Sequence, residues 1–230
     1  PASRTNAILL GDEDSAKLLI DPSPNSEEEY RRLLTTIQDS VPDAIFLTHH
    51  HPDHHQLSNR LARELRIPII LSQDTLQRLT AKFGQQYFEN IELQTVSENQ
   101  QVTCWHGSAV RVYEIPGHDS GHLGLAPDSM AWFLVGDLIQ GIGTVVIPSP
   151  EGDMATYFNT LKKVISLSPE VIIPSHGIPM RTTHRLEETL KHRLQRESQI
   201  LKLHRSGKSR QEILSELYSD TDNRLHPAAM

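Results

Sequence analysis

Cysteine is nearly absent from this 230-residue chain, in which Cys104 is the single example. One cysteine cannot form a disulfide within the chain, and it cannot build a zinc site that depends on several thiolates. This excludes the disulfide-stapled secreted class and is typical of a reducing compartment. We therefore expect a cytoplasmic protein.

Two further absences narrow the class of protein. No stretch approaches the about 18 consecutive apolar residues of a membrane span, and no charged-then-apolar leader opens the chain, so we expect neither a span nor a signal peptide. Basic residues are in the minority, with 22 Lys and Arg against 29 Asp and Glu and a net charge of −7. The chain as a whole is therefore not an electrostatic binder of nucleic acid.

The composition is that of a globular protein with a core to bury, because 37% of the residues are hydrophobic and 22% are charged. At about 100–200 residues per domain, the length fits one large domain with at most a small appendage. Strands and helices alternate in the first half, and β-hairpins dominate the middle, which predicts an α/β layered fold with a mixed sheet. The predicted strands lie at residues 5–10, 17–21, 44–47, 67–71, 110–115, 132–135 and 171–173, and the predicted helices at 26–40, 55–65, 72–83, 153–166 and 182–206.

The last 50 residues differ in charge from the rest. Between Arg181 and Arg210 there are nine Lys and Arg against three Glu, a net charge of +6. We predict one domain over residues 1–180 and a basic helical extension over residues 181–230. Because the sequence begins at Pro1 rather than at a methionine, and ends at Met230 without completing its last helical unit, we expect a fragment of a longer chain.

Histidine is the residue in excess, with 13 in the chain and five of them within residues 49–55. These five follow a short apolar run typical of a buried strand, and α/β sheets place their chemistry in loops at strand ends. His49 and His51 are two residues apart, so in an extended loop they project to one side and can bind one metal. Asp53 and His54 follow and can face a second metal. Imidazole and carboxylate without thiolate favour zinc, and they are also compatible with iron or manganese.

Three later residues of ligand type occupy the same kind of position. His118, Asp137 and His176 each come within three residues of the end of a predicted apolar strand. A lone histidine at a strand end is more often structural than a ligand, but four such coincidences indicate one site. We therefore expect these four strand ends to share one edge of the sheet.

This series, His-x-His-x-Asp-His followed by a later His, Asp and His, resembles the metallo-β-lactamase superfamily over roughly residues 5–180. The resemblance implies that residues 1–180 form a catalytic domain with a four-layer αβ/βα fold and a dinuclear zinc-type centre. It also implies that the opening strands of this fold are missing and that the winged-helix-like extension over residues 181–230 is cut short. It implies that the first metal is held by His49, His51 and His118, the second by Asp53, His54 and His176, and that Asp137 bridges them. His122 would support the site without binding a metal.

The resemblance also implies a metal-dependent hydrolase. Two metals about 3.5–4 Å apart lower the pKa of a bound water from about 15.7 toward 7 and polarise the substrate oxygen. Asp53 would orient the resulting hydroxide or accept its proton, which makes it the predicted catalytic residue.

Two branches of the superfamily share further phrases with the chain. The glyoxalase II thioester hydrolases are similar over residues 116–122, although their glutathione-binding segment is absent here. The lactamase-β-like protein 2 group, which includes an endoribonuclease acting on single-stranded RNA, is similar at residues 141–144, 175–179 and 192–201. The chain resembles the lactamase-β-like protein 2 group most closely in its motifs, which implies a phosphodiesterase acting on single-stranded RNA, and the alternative is a glyoxalase II-like hydrolase of a small ester or thioester.

Two more functions are compatible with the same ligand series. A sulfur dioxygenase would hold a single iron, and a non-catalytic nucleic-acid or protein-binding module could use the same fold. The basic helix is either a solvated face or a track for backbone phosphates, and no aromatic row for base stacking accompanies it. The oligomeric state is not determined by the sequence.

Overall fold

The computed structural model describes residues 4–141 and 143–219. It contains two sheets, with strand orders β1-β2-β3-β4-β5 and β11-β10-β9-β8-β7-β6. The first sheet consists of β1 (Ile8–Leu10), β2 (Leu18–Ile20), β3 (Ala44–Phe46), β4 (Ile69–Leu71) and β5 (Leu93–Thr95). The second consists of β6 (Gln101–Trp105), β7 (Ser108–Glu114), β8 (Leu123–Pro127), β9 (Phe133–Gly136), β10 (Val171–Pro174) and β11 (Met180–Arg181).

The helices form the outer layers of the fold. They are α1 (Glu27–Ile37), α2 (Pro52–His55), α3 (Ser58–Leu65), α4 (Gln73–Phe83), α5 (Met154–Leu167), α6 (His184–Arg205) and α7 (Arg210–Leu217), with a short 3-10 helix at Gln85–Phe88. Ser26, Ser72 and Asp153 cap α1, α4 and α5 by accepting a hydrogen bond from a backbone N–H of the first turn.

Three apolar clusters separate four layers of secondary structure. The cluster between the sheets contains Leu18 and Phe46 of the first sheet and Val112 and Leu125 of the second. Alternate residues of β2 and β3 face the opposite way and pack under α1, α3 and α4. The third cluster lies between the second sheet and α5 and α6. This confirms the expected αβ/βα layering.

The expected mixture of strand directions is confirmed in each sheet, but the strands form two sheets and not one. The middle strands pair with one another as an antiparallel meander and do not extend the parallel sheet. Strands β2 to β5 are parallel, whereas β6 to β9 are antiparallel. Strands β7, β9 and β10 therefore run in the same direction and end at one edge of the second sheet. The fourth strand, β3, belongs to the first sheet, and the loop after it reaches the second through a hydrogen bond from Leu123 N to Thr48 O (2.9 Å).

The helix predicted at residues 55–65 is two helices, α2 and α3. Pro52 starts α2 at a position where its missing N–H costs nothing, and Leu57, with a φ of 62°, ends the first helix before the second begins. The single turn of α2 carries Asp53 and His54.

The C-terminal extension packs against α5 and the second sheet. Leu186 of α6 is fully buried in the same cluster as Tyr157 of α5. Helix α7 begins with a capping box between Ser209 and Glu212. The domain boundary at residue 180 stays a prediction, and the expected winged-helix-like ending falls partly on residues 220–230, outside the described residues. None of the described helices combines the length and the apolar composition needed to cross a membrane.

Gly117 lies where α5 presses against the loop that carries His118. Its φ is +136°, and a Cβ there would lie 2.4 Å from Tyr157 Cα. We expect Gly117→Ala to lower the free energy of unfolding by about 2 kcal/mol or more, since backbone strain and overpacking add. Urea denaturation of the metal-free protein measures this loss. Gly107→Ala is the control, because Gly107 has a φ of +74° but no atom within 4 Å of its Cβ position. Equal losses in the two variants would contradict the close packing of Gly117.

Candidate metal centre

Three imidazole nitrogens converge in a first group, made of His49, His51 and His118. His51 Nδ1 lies 3.0 Å from His49 Nε2 and 2.9 Å from His118 Nε2. All three side chains are mostly buried, with His51 at 19% exposure the most open. Three nitrogens directed at one point form a donor set suited to a divalent metal.

The remote nitrogen of each of these rings is bonded to an oxygen. His118 Nδ1 donates to Val146 O (2.7 Å), and His51 Nε2 lies 3.1 Å from Glu151 Oε2. Thr48 donates its hydroxyl proton to Asp21, so it accepts a hydrogen bond from His49 Nδ1 (3.0 Å). These oxygens fix each ring as the tautomer whose lone pair points into the group.

Asp53, His54 and His176 form a second group beside the first. Asp53 Oδ2 lies 3.4 Å from His176 Nε2 and 3.7 Å from His54 Nε2. The remote nitrogens are again bonded to oxygen: His54 Nδ1 donates to Asp21 Oδ2 and His176 Nδ1 donates to Arg4 O, each over 2.8 Å. Asp53 differs from the other members because its side chain is 57% exposed.

Asp137 lies between the two groups. Its Oδ2 is 3.6 Å from both His54 Nε2 and His118 Nε2, and its Oδ1 is 3.3 Å from His176 Nε2. A carboxylate that reaches one nitrogen of the first group and two of the second has the geometry of a bridging ligand.

Two buried polar atoms in this cluster are unsatisfied. His54 Nε2 and Asp137 Oδ1 are enclosed, yet neither makes a hydrogen bond of normal geometry. A buried polar atom without a hydrogen-bond partner lowers the stability of the fold unless another group, such as a bound metal, interacts with it. Nitrogen and carboxylate donors without thiolate fit zinc, iron or manganese, so the residues present fit a pair of divalent metals.

The two groups differ in their electrostatics. Burial and the neighbouring imidazoles hold the pKa of His49 well below its usual value, and burial lowers the pKa of His118. Burial also disfavours charge on His54 and His176, but the adjacent carboxylates outweigh it and raise the pKa of each to about 10. Without metal, the first group therefore holds neutral His49 and His118, and the second holds two imidazolium ions, which would have to lose a proton before they could bind a metal.

The carboxylates of the cluster are ionised. A hydrogen bond with His176 is the main reason that the pKa of Asp53 falls to about 2. Burial raises the pKa of Asp137, but contacts with His176 and His54 lower it further, to well below its usual range.

The structure brings together all seven residues that the sequence pattern predicts as metal ligands. His122 lies beside them, fully buried, and its Nε2 accepts a hydrogen bond from the backbone N–H of Asp137 (3.2 Å). Gly136 makes room for it, since a Cβ there would lie 2.1 Å from His122 Nε2. Of the other loop histidines, His50 faces Asp119 (2.7 Å) and His55 bonds to the Tyr87 hydroxyl (2.7 Å).

Sequence reasoning missed the residues that orient these ligands. Asp21 follows strand β2 directly, so the strand-end signal that found the other aspartates could have found it. Glu151 lies in the loop between β9 and α5, and no pattern around it distinguishes it from a surface glutamate. The carbonyls of Arg4 and Val146 cannot be identified from side-chain type at all.

Comparisons with known proteins agree with this geometry. The sequence model of the metallo-beta-lactamase superfamily matches residues 1–176. A beta-lactamase-like protein 2 homolog from Drosophila melanogaster is 29% identical, covering 98% of this chain and 78% of its own length. A hydroxyacylglutathione hydrolase from Wigglesworthia glossinidia brevipalpis is 31% identical, covering 58% and 46% respectively. The crystal structure of TTHA1623 in a di-iron-bound form has a TM-score of 0.63 at 25% identity, covering 77% of this chain and 89% of its own.

Two packed sheets between helical layers, with histidines and aspartates gathered at one end, define an αβ/βα protein of the metal-binding class. The chain belongs to the metallo-beta-lactamase superfamily. Membership of this superfamily, together with the relatives named as hydrolases, identifies the protein as a metallo-hydrolase.

The pKa values predict a stability maximum of the metal-free protein near pH 6.5. His54 and His176 have raised pKa values. Their contribution to the free energy of unfolding is therefore complete below pH 6.5 and is lost as the pH rises toward about 10. His49 and His118 have lowered pKa values, so stability also falls below pH 6.5, where only the unfolded chain takes up those protons. Urea unfolding in the presence of a chelator, carried out at a series of pH values, measures the fall in stability on both sides of pH 6.5.

The same series with added zinc is the control. A metal that replaces the protons of His54 and His176 should reduce the loss of stability above pH 6.5. Stability that keeps rising from pH 7 to pH 9 without metal would contradict the assignment.

Proposed function

We propose that the chain binds one divalent metal in each group, with Asp137 as the bridging ligand, and hydrolyses a small thioester or ester. The observation that carries this proposal is the orientation of five imidazoles. Each has one nitrogen bonded to an oxygen and the other directed at the shared centre. Structural histidines have no need of such uniform orientation, whereas metal ligands do.

The proposed first-metal ligands are His49, His51 and His118, and the proposed second-metal ligands are Asp53, His54 and His176. Zinc is the metal that we expect, with iron or manganese as alternatives. A bound metal pair supplies Lewis acidity, which activates water and polarises the substrate carbonyl. In the reaction, water adds its oxygen to the acyl carbon, the carbon–sulfur or carbon–oxygen bond breaks, and a carboxylic acid and a thiol or alcohol leave.

Asp53 has a distinct position in this scheme. It is the most exposed of the seven side chains, so it lies where the cluster meets solvent. Its carboxylate can accept a hydrogen bond from an incoming water and so orient the attack, or accept the proton. His122 acts only indirectly, by holding the backbone of Asp137.

The surroundings of the cluster favour an uncharged acyl group over a polyanion. Two apolar residues near the ligands in the chain are exposed: Ile178, at 76%, comes two residues after His176, and Val146, at 42%, supplies the carbonyl that accepts the hydrogen bond from His118. Two arginines of the basic helix are used internally, since Arg193 donates to Val145 O and Arg196 to Leu217 O. Relatives named hydroxyacylglutathione hydrolases support the thioester class.

An endoribonuclease acting on single-stranded RNA is the second candidate. It is favoured by the relative that matches 98% of this chain and so includes the basic helix. Lys191, Lys202 and Arg205 on that helix are exposed. A non-catalytic binding module is the least supported candidate, because all seven ligand positions are occupied by ligand-type residues.

We expect Asp53→Asn to lower kcat for an acyl-glutathione thioester by about 10²- to 10⁴-fold. His49→Ala should abolish turnover, because it removes a ligand of the first group. Release of the free thiol measures both, and the metal content of each variant is determined in parallel. Asp39→Asn, at an exposed site, is the matched control. Full activity of His49→Ala would rule out the proposed centre.

The two substrate classes are separated by a charge variant of α6, in which Lys191, Lys202 and Arg205 are all replaced by glutamate. We expect the metal-replete protein to hydrolyse the thioester, to leave end-labelled single-stranded RNA intact, and to keep its thioester rate in this variant. RNA cleavage that disappears in His49→Ala and weakens in the charge variant would favour the endoribonuclease, since phosphate binding depends on these cations.

A further inference from the structure

The loop between β9 and α5 contacts two of the three histidines of the first group. Val146 O accepts the hydrogen bond from His118 Nδ1 (2.7 Å), and Glu151 Oε2 lies 3.1 Å from His51 Nε2. The other oxygen of Glu151 is 3.6 Å from His50 Nε2, so the carboxylate spans two neighbouring imidazoles. We call residues 143–153 the clasp loop.

The clasp loop is fixed at both ends. At its start, Arg193 Nη2 of α6 donates to Thr144 Oγ1 (2.9 Å) and to Val145 O, the carbonyl directly before the one that holds His118. At its end, Asp153 N donates to Gly117 O (2.9 Å). The loop therefore has a defined position over the first group, set in part by the C-terminal helix.

The second group is oriented by a different part of the chain. His54 donates to Asp21, and His176 donates to the carbonyl of Arg4, so both partners lie within the first 21 residues. No described contact joins the clasp loop to Asp53, His54 or His176. The two groups thus share Asp137 and also Asp21, which reaches His49 through Thr48, whereas the clasp loop contacts the first group alone.

We propose that Glu151 is a positioning residue for the first metal alone, acting through His51, and that Arg193 holds the loop that presents it. This inference rests on the proposed function, because it takes the two groups as metal sites. Glu151 fixes the proton on His51 Nε2, which keeps the Nδ1 lone pair directed at the metal and makes it more basic. Removal of such an outer partner typically weakens metal binding by about 10- to 100-fold.

The test measures metal affinity, which does not depend on turnover. The whole 230-residue chain is stripped of metal and titrated with zinc against a competing chelator. Two backgrounds separate the sites: His176→Ala leaves only the first group complete, and His49→Ala leaves only the second. We expect Glu151→Gln to weaken binding by about 10-fold or more in the His176→Ala background and to leave the His49→Ala background unchanged.

Matched variants control the measurement. Glu89→Gln replaces an exposed glutamate with no described side-chain contact to either group, and it should change neither affinity. Asp21→Asn should weaken binding in both backgrounds, since Asp21 bonds to His54 directly and to His49 through Thr48. Arg193→Met should weaken the first site, Arg193→Lys should restore part of that loss, and Arg196→Met on the same helix should not affect it.

The outcomes distinguish this inference from the function on which it rests. If the unaltered chain fails to bind two zinc ions, the proposed centre is wrong. If it binds two, and Glu151→Gln weakens neither site or both sites equally, the assignment of Glu151 to the first metal is overturned. Circular dichroism of each metal-free variant identifies any that do not fold.

Discussion

A neutral imidazole has one lone pair, and the centre depends on where each of five imidazoles directs it. In this protein a carbonyl, a hydroxyl or a carboxylate accepts the proton of the remote nitrogen, so the nitrogen that faces the cluster is the one left for a metal. That nitrogen carries a lone pair in His49 and His118, and a proton that a metal would displace in His54 and His176. The fold serves this requirement. The strand ends deliver the rings, and the segments packed against them supply the oxygens.

The need for these oxygen acceptors explains the positions of several residues that are not candidate metal ligands themselves. Asp21 is buried at the end of β2, where its two oxygens serve Thr48 and His54 together. Arg193 of α6 holds the clasp loop in place through a hydrogen bond to Val145 O, and α6 lies outside the region that matches the family model. The C-terminal extension is therefore connected to the first metal group through a short series of contacts, although it contributes no ligand.

The cluster places anionic carboxylates beside imidazoles in a buried space, and this arrangement favours the binding of a divalent metal ion. Carboxylates concentrated in a buried space raise the pKa values of His54 and His176, so without metal those rings are held as cations. A divalent ion bound by these rings would replace their protons and satisfy the same carboxylates. His49 and His118 are neutral before metal arrives, because burial and neighbouring rings keep protons away.

The sequence by itself determined the ligand types, their order and the layered α/β class. Residue chemistry and strand-end position are both local properties, so the sequence alone predicts the candidate ligands His49, His51, Asp53, His54, His118, Asp137 and His176. Tertiary structure alone decided that the strands form two sheets, that α2 is a separate turn, and that Asp21, Glu151 and two carbonyls orient the rings. Those features depend on pairing between distant segments. A backbone carbonyl is the same in every residue, so only the fold shows which one accepts a proton.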